Sequence, residues 1–279
     1  MVTGTVGQQA SVTFAANRAV GKIALTARAR NGVTRRARVH EQGALRVRCP
    51  GAPAEELEAV IVNTAGGMAG GDRFALGIAA EESARLVVTT AAAEKVYRAL
   101  DAAAHVDVKL TAGAGASLAW LPQETILFDR SKLNRSIEVD LADDARLLLV
   151  EAIVFGRAGM GETVQECALF DRWRVRRNGK LLHAEALRLD DAVAQKLARP
   201  AVAGGGIAIA TVLAVPGDDV TAAAVRALEG QFRGDVGVSA WEGLALARLC
   251  AADGAALRHD LLLVLAALRQ TPLPRLWLN

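Results

Sequence analysis

Along most of this chain, from about Ser11 to Val215, apolar residues come in short runs separated by Gly, Pro, Asn and Asp. Runs of that length bounded by turn formers predict strands joined by tight turns. The stretch Asp171 to Leu189 is the clearest instance, because in DRWRVRR the residues Trp173 and Val175 alternate with Arg172, Arg174 and Arg176. Asn178-Gly179 then supplies two residues that accept positive φ in a type I′ turn, so the segment is predicted as a hairpin. Further strands are predicted at Ala44 to Arg48, Leu57 to Asn63, Arg85 to Thr90, His105 to Leu110, Ser117 to Leu121, Arg135 to Leu141 and Arg146 to Phe155.

After Gly237 the pattern changes. Trp241, Leu244, Ala245, Leu246 and Leu249, then Leu257, Leu261, Leu262, Val264, Leu265 and Leu268, recur at helical spacing. Two helices are predicted, divided by Asp253-Gly254 and stopped near Gln270 by Pro272 and Pro274. The expected fold is mainly β: a multi-stranded, layered or helical β body over about 11–236, capped by a C-terminal pair of α-helices over about 237–271. Neither a repeat of fixed period nor a low-complexity linker divides the 279 residues, which predicts a single domain over 1–279.

Hydrophobic residues make up 52% and charged residues 23%, the mix of a folded globular protein, which excludes disordered and fibrous classes. Aromatics are only 4%, so Ala, Val, Leu and Ile must fill the core, and they favour close backbone approach. A net charge of +3 is too small to argue for nucleic acid and leaves acidic partners open. Cys49, Cys167 and Cys250 are odd in number, widely spaced and without a C-x-x-C pair, as in a cytosolic protein with reduced thiols. The start, MVTGTVGQQASVTF, lacks a positive region followed by an apolar core, so export is not expected. The longest apolar stretches, around Ile207 to Val215 and Leu261 to Leu268, fall short of the roughly 18–20 residues that span a bilayer. A cytoplasmic protein without membrane partners is expected, and its apolar excess predicts a surface covered by other proteins and poor solubility alone.

The segments that could carry chemistry are modest one by one. NTAGGMAGGDRF, Asn63 to Phe74, has four closely spaced glycines and projects Asp72 from a loop, yet it lacks the Lys-Ser/Thr of a phosphate-binding loop and the spacing of a dinucleotide fingerprint. On its residues it reads as a structural turn, as does Gly204-Gly205-Gly206. TTAAAEKVYR, Thr89 to Arg98, puts Glu94, Lys95, Tyr97 and Arg98 straight after a strand, and LPQETILFD, Leu121 to Asp129, starts another β-rich run at Pro122. EAIVFGRAGMGE, Glu151 to Glu162, places carboxylates at both ends with Arg157 between, a pattern of ion-paired loops as much as of catalysis. G-x-S-x-G and H-E-x-x-H are both missing, and His40, His105, His183 and His259 are far apart.

Taken together and in order, these segments, with LLHAEALRLD and the terminal LPRLWLN, resemble the UreD (UreH) family of urease accessory proteins from about Asn63 to Asn279. The N-terminal strands match more loosely. At Ala44 to Gly51, ALRVRCPG departs from the family, which more often carries an aromatic residue and a proline there. The resemblance implies a non-enzymatic nickel-insertion chaperone that binds urease apoprotein and the accessory protein UreF, which recruits the GTPase UreG. It further implies that nickel, in transit and not as a tightly bound cofactor, crosses a water-filled passage within the chain. Family motifs place Asp72, Glu94, Glu151 and Glu185 on that passage, where oxygen ligands would attract the ion without trapping it. Arg98, Arg130 or Arg157 could instead hold these carboxylates as structural ion pairs. Trp241, Arg275 and Trp277 are the candidate partner contacts, with Leu244 and Leu261 as further anchors or core residues. Two other readings stay open: a metal-dependent hydrolase using the same carboxylates, and a purely structural adaptor without a conduit.

Overall fold

The structure, a computed structural model, describes residues 18–52 and 54–278, so the predicted start of the first run at Ser11 lies outside the described residues. In chain order the strands are β1 (Val20–Arg30), β2 (Val33–Gly43), β3 (Leu45–Arg48), β4 (Glu56–Asn63), β5 (Arg73–Ala80) and β6 (Arg85–Thr90). They continue with β7 (Glu94–Val96), β8 (Ala104–Ala112), β9 (Ser117–Leu121), β10 (Thr125–Leu127), β11 (Lys132–Leu141) and β12 (Arg146–Phe155). Then come β13 (Glu166–Arg177), β14 (Lys180–Ala192), the short helix α1 (Val193–Leu197), β15 (Ala208–Val215), α2 (Asp219–Arg226), β16 (Asp235–Trp241), β17 (Leu244–Ala251) and α3 (Gly254–Leu268).

Two sheets face each other. One has seven strands in the order β14-β13-β11-β8-β5-β1-β2; the other has ten, with β16-β17-β15-β12-β9-β6-β4-β3 as its main path and β10 and β7 to one side. From β4 to β13 the chain steps back and forth between the sheets, and within each sheet the strands it lays down run parallel. The body is thus a β-helical wrap, flanked by antiparallel hairpins. Asn178 and Gly179 take positive φ between β13 and β14, as the sequence predicts, and Asn31 and Gly32 turn β1 into β2 in the same way.

Alternation along the strands explains the layers. In β11, Leu133, Ile137, Val139 and Leu141 point inward to a core shared by both sheets, while Ser136 and Glu138 face the outer groove of the seven-stranded sheet. The middle strands of the ten-stranded sheet are buried on both faces. Its outer side, with Leu121, Val150 and Val212, is covered by Leu257, Leu261, Val264 and Leu265 of α3. Among the described residues, no helix is long and apolar enough to cross a membrane.

The C-terminal region differs from expectation in one respect. The second predicted helix is α3, opened by the Asp253 side chain accepting from the Ala256 N–H. The first is the β16–β17 hairpin, turned at Glu242 and Gly243, so the capping pair is a hairpin plus one helix. Strand β17 is buried on both sides, between the core and α3, and therefore carries a continuous apolar run instead of a period of two. Such a run satisfies helical spacing as readily as strand spacing. Helix α2, with its Asp218–Thr221 capping box, forms in a stretch for which the sequence reading named no element.

Candidate functional site

Polar side chains interrupt the core along one layer. On β11, Arg135 occupies an inward position between Leu133 and Ile137, and on β13 its register partner Asp171 does so between Leu169 and Trp173. The Arg135 guanidinium forks onto Asp171, with Nε donating to Oδ1 at 3.1 Å and Nη2 to Oδ2 at 2.6 Å. Its Nη1 reaches across the gap to Glu151 Oε2 on β12 and also lies 3.3 Å from Thr125 Oγ1. The second Glu151 oxygen accepts from the Trp120 indole at 2.8 Å. Arg135, Glu151 and Asp171 are all buried. Burial raises the Glu151 carboxyl to about 7, with Arg135 pulling it down and Asp171 pushing it further up. Burial also works against the charge of Arg135, but the two carboxylates more than compensate and keep it a cation.

In the ten-stranded sheet the same row continues from Glu151 to Thr211 on β15 and Arg248 on β17. Arg248 Nη1 donates to Glu185 Oε1 of β14 at 2.8 Å, a second link between the sheets. His183 Nε2 lies 3.3 Å from the other Glu185 oxygen. Burial pushes Glu185 up, yet His183 and Arg248 together hold its carboxyl below the usual range.

Three cavities follow this layer and share walls. The innermost, about 70 Å³, runs between the sheets from Asn63, Thr90 and Glu94 to Trp120, Arg135 and Glu151. The middle one, about 20 Å³, is bounded by Glu151, Asp171, Glu185 and Thr211. A water needs ~10–15 Å³, so the middle segment admits one or two. The outermost, about 600 Å³, begins at Glu185, Thr211 and Arg248 and reaches exposed Asp235 and Glu229.

Glu94, Glu151 and Glu185 therefore stand at the inner end, the inner junction and the outer junction of one series of cavities. Burial raises the Glu94 carboxyl, opposed by Asn63, whose Nδ2 donates to it at 2.9 Å. Asp72 lines none of the three. Its Oδ1 accepts from the Ala19 N–H at 2.8 Å and its Oδ2 from the Ala69 N–H at 2.7 Å, so it pins the glycine loop to the start of β1. The loop is a packed turn: Met68 pairs with Val96, Tyr97 Oη donates to the Gly66 carbonyl, and Gly67 leaves no room for a Cβ beside Tyr97 and Lys95. The ion-pair partners considered from sequence are not those observed. Arg135 holds Glu151 and Arg248 holds Glu185, whereas Arg157 pairs with Glu162 and Arg130 lies near Asp129 and Glu166.

Of the candidate partner contacts, Trp241 is 38% exposed and Arg275 is exposed, but Trp277 is fully buried. The Trp277 indole donates to the Leu121 carbonyl at 2.9 Å under the Arg258 guanidinium, which itself binds Gln123, Glu124 and the Leu276 and Trp277 carbonyls. Trp277 locks the tail and is not a surface anchor in this fold; Leu244 and Leu261 are likewise core. Sequence reasoning missed Arg135 and Asp171, although a charged residue at an inward position of an otherwise apolar alternation marks both.

Comparison with known proteins decides the family. The family model described as UreD urease accessory protein matches residues 19–278. The chain belongs to this family. It is 54% identical over 269 residues to the urease accessory protein UreD of Rhodopseudomonas palustris strain CGA009, covering 96% of each chain. It is 53% identical over 266 residues to the urease accessory protein UreD 3 of Bradyrhizobium sp. strain BTAi1, covering 95% of this chain and 96% of that one. With its counterpart in Rhodopseudomonas palustris strain HaA2 it shares 51% identity over 279 residues, all of both chains. As a member of this family it is a urease accessory protein and not an enzyme, which sets the hydrolase reading aside.

Proposed function

We propose that this UreD-family chain is a nickel-insertion chaperone: it binds apo-urease and, with UreF and the GTPase UreG, passes nickel to the urease metallocentre through its own interior. The observation that carries this reading is the run of adjoining cavities punctuated by Glu94, Glu151 and Glu185. Carboxylates spaced along a narrow, wettable space suit an oxygen-seeking divalent cation, because each offers a ligand while no single point encloses the ion. Nickel is here cargo. The middle segment holds so little water that the ion must exchange aqua ligands for carboxylate oxygens as it moves. Exposed Trp241 and Arg275 are the proposed docking contacts. The three cysteines are free, in keeping with work in the reducing cytoplasm.

The test is nickel content and ureolytic activity of urease purified from cells that express its subunits and the other accessory proteins with the wild-type chain, without it, or with Glu151→Gln. We expect folded, nickel-poor urease in the last two cases, with Glu151→Gln still recovered in complex with its partners. Full nickel loading with Glu151→Gln would leave only the adaptor role.

A further inference from the structure

Arg135 is an unusual wall residue for a cation path. It is a buried cation at the inner junction, where Glu151 lines both the innermost and the middle cavity. Each of the four oxygens of Glu151 and Asp171 receives one donor, three of them from Arg135 and one from Trp120. A buried ion triad of this kind contributes little to stability, since an apolar set of the same volume is often equally stable or more so. Removing the guanidinium would leave two facing carboxylates and the Thr125 hydroxyl at the junction of two narrow cavities, a ligand set that holds divalent cations firmly.

We propose that Arg135 is a resident counter-cation and gate: between transits it fills the cation position between Glu151 and Asp171, and an incoming divalent cation displaces it, so that this pair passes the ion on instead of keeping it. The proposal rests on the passage reading above. The innermost cavity, which Arg135 itself lines, gives the displaced guanidinium somewhere to go, whereas the middle one is too small. Thr125 already accepts from Nη1 on that side. As the ion leaves, the guanidinium returns and competes for the same oxygens, which drives release.

The experiment is Ni²⁺ titration of the purified full-length chain by calorimetry, comparing wild type with Arg135→Met and with Arg135→Lys. We expect Arg135→Met to gain one Ni²⁺ site at least tenfold tighter than any site of the wild type. Arg135→Lys, which keeps the charge, should stay within about threefold of wild type. Adding Glu151→Gln and Asp171→Asn to Arg135→Met should abolish the gained site. That neutral triple variant leaves no buried charge unpaired, so its folding, checked by circular dichroism, serves as the reference if Arg135→Met is poorly folded. In that event Arg135→Gln takes its place in the titration.

Unchanged Ni²⁺ affinity in a folded variant lacking the guanidinium overturns the gate, as does a gained site that survives the triple substitution. Neither result depends on urease. The passage reading is judged separately by delivery through a chain blocked at Thr211, a residue the Arg135 variants leave intact.

Discussion

Arg135 on β11 and Glu151 on β12 belong to opposite sheets and close onto each other through the middle of the β-helical body. Glu151 lines both the inner cavity and the middle one and Arg135 lines the inner one, so this contact sits where the two cavities adjoin.

The first prediction concerns the Glu151 proton. Burial lifts its carboxyl to about 7 in the folded chain, above the ordinary carboxylate range of the unfolded one, so between roughly pH 4.5 and 7 the folded state binds the extra proton. The stabilising contribution is complete below about pH 4.5 and is lost as pH rises through about 7. Urea denaturation at pH 5 and pH 8 should show the wild type losing up to about 3 kcal/mol more across that interval than Glu151→Gln. Equal pH dependence in the two proteins would show that Glu151 is ionised throughout.

Asp72 provides a contrast, because it accepts from two backbone N–H groups and lines none of the three cavities. Asp72→Ala should lower stability by about 1–3 kcal/mol, through two half-buried N–H donors that lose their acceptor. Nickel per folded molecule of urease should be unchanged once expression is matched. Denaturation midpoints together with metal analysis check both halves.

Much of the fold is legible in the alternation of side chains, and the reasons for the exceptions are physical. Strands with one buried face, such as β11 and the β13–β14 hairpin, show a period of two and were predicted at or near their observed places. Strand β17 is sandwiched between the core and α3, so its run Leu244-Ala245-Leu246-Ala247 carries no period that separates it from a helix. At the site, family motifs pointed to Glu94, Glu151 and Glu185, which do share the cavities, but a carboxylate in a glycine loop looks the same in sequence whether it faces a cavity or caps backbone, and Asp72 caps. Arg135 and Asp171 are readable as charges on the inward phase of their strands; their meeting with Glu151 required the register of both sheets.

The glycine loop yields a third prediction. A Cβ on Gly67, at φ +141°, would lie 2.6 Å from the Tyr97 ring and 2.8 Å from the Lys95 carbonyl, whereas one on Gly66 meets nothing within 4 Å. Gly66→Ala should cost only the ~1–2 kcal/mol of a left-handed backbone. Gly67→Ala should cost clearly more and loosen the wall of the innermost cavity at Asn63 and Met68. Thermal unfolding of the two variants side by side measures the difference.

Trp277 anchors the tail beneath α3 and the Arg258 guanidinium. Trp277→Ala should destabilise by about 3–5 kcal/mol, the range for emptying a buried aromatic site. Trp277→Phe, which keeps an aromatic ring but removes the indole donor to the Leu121 carbonyl, should cost about 1–3 kcal/mol. If Trp277 were instead a partner contact, both variants would unfold like wild type and lose only binding.

If metal travels through the adjoining cavities, a plug that touches no charge stops its delivery. Thr211 borders both the middle and the outer cavity beside Glu151. Thr211→Phe adds a ring to a space of about 20 Å³. The decisive measurement is the nickel content of urease matured in cells carrying this variant, with assembly of the accessory complex verified by co-purification. Nickel-poor urease alongside an intact complex is the expected result; urease fully loaded past the plug would rule out this route.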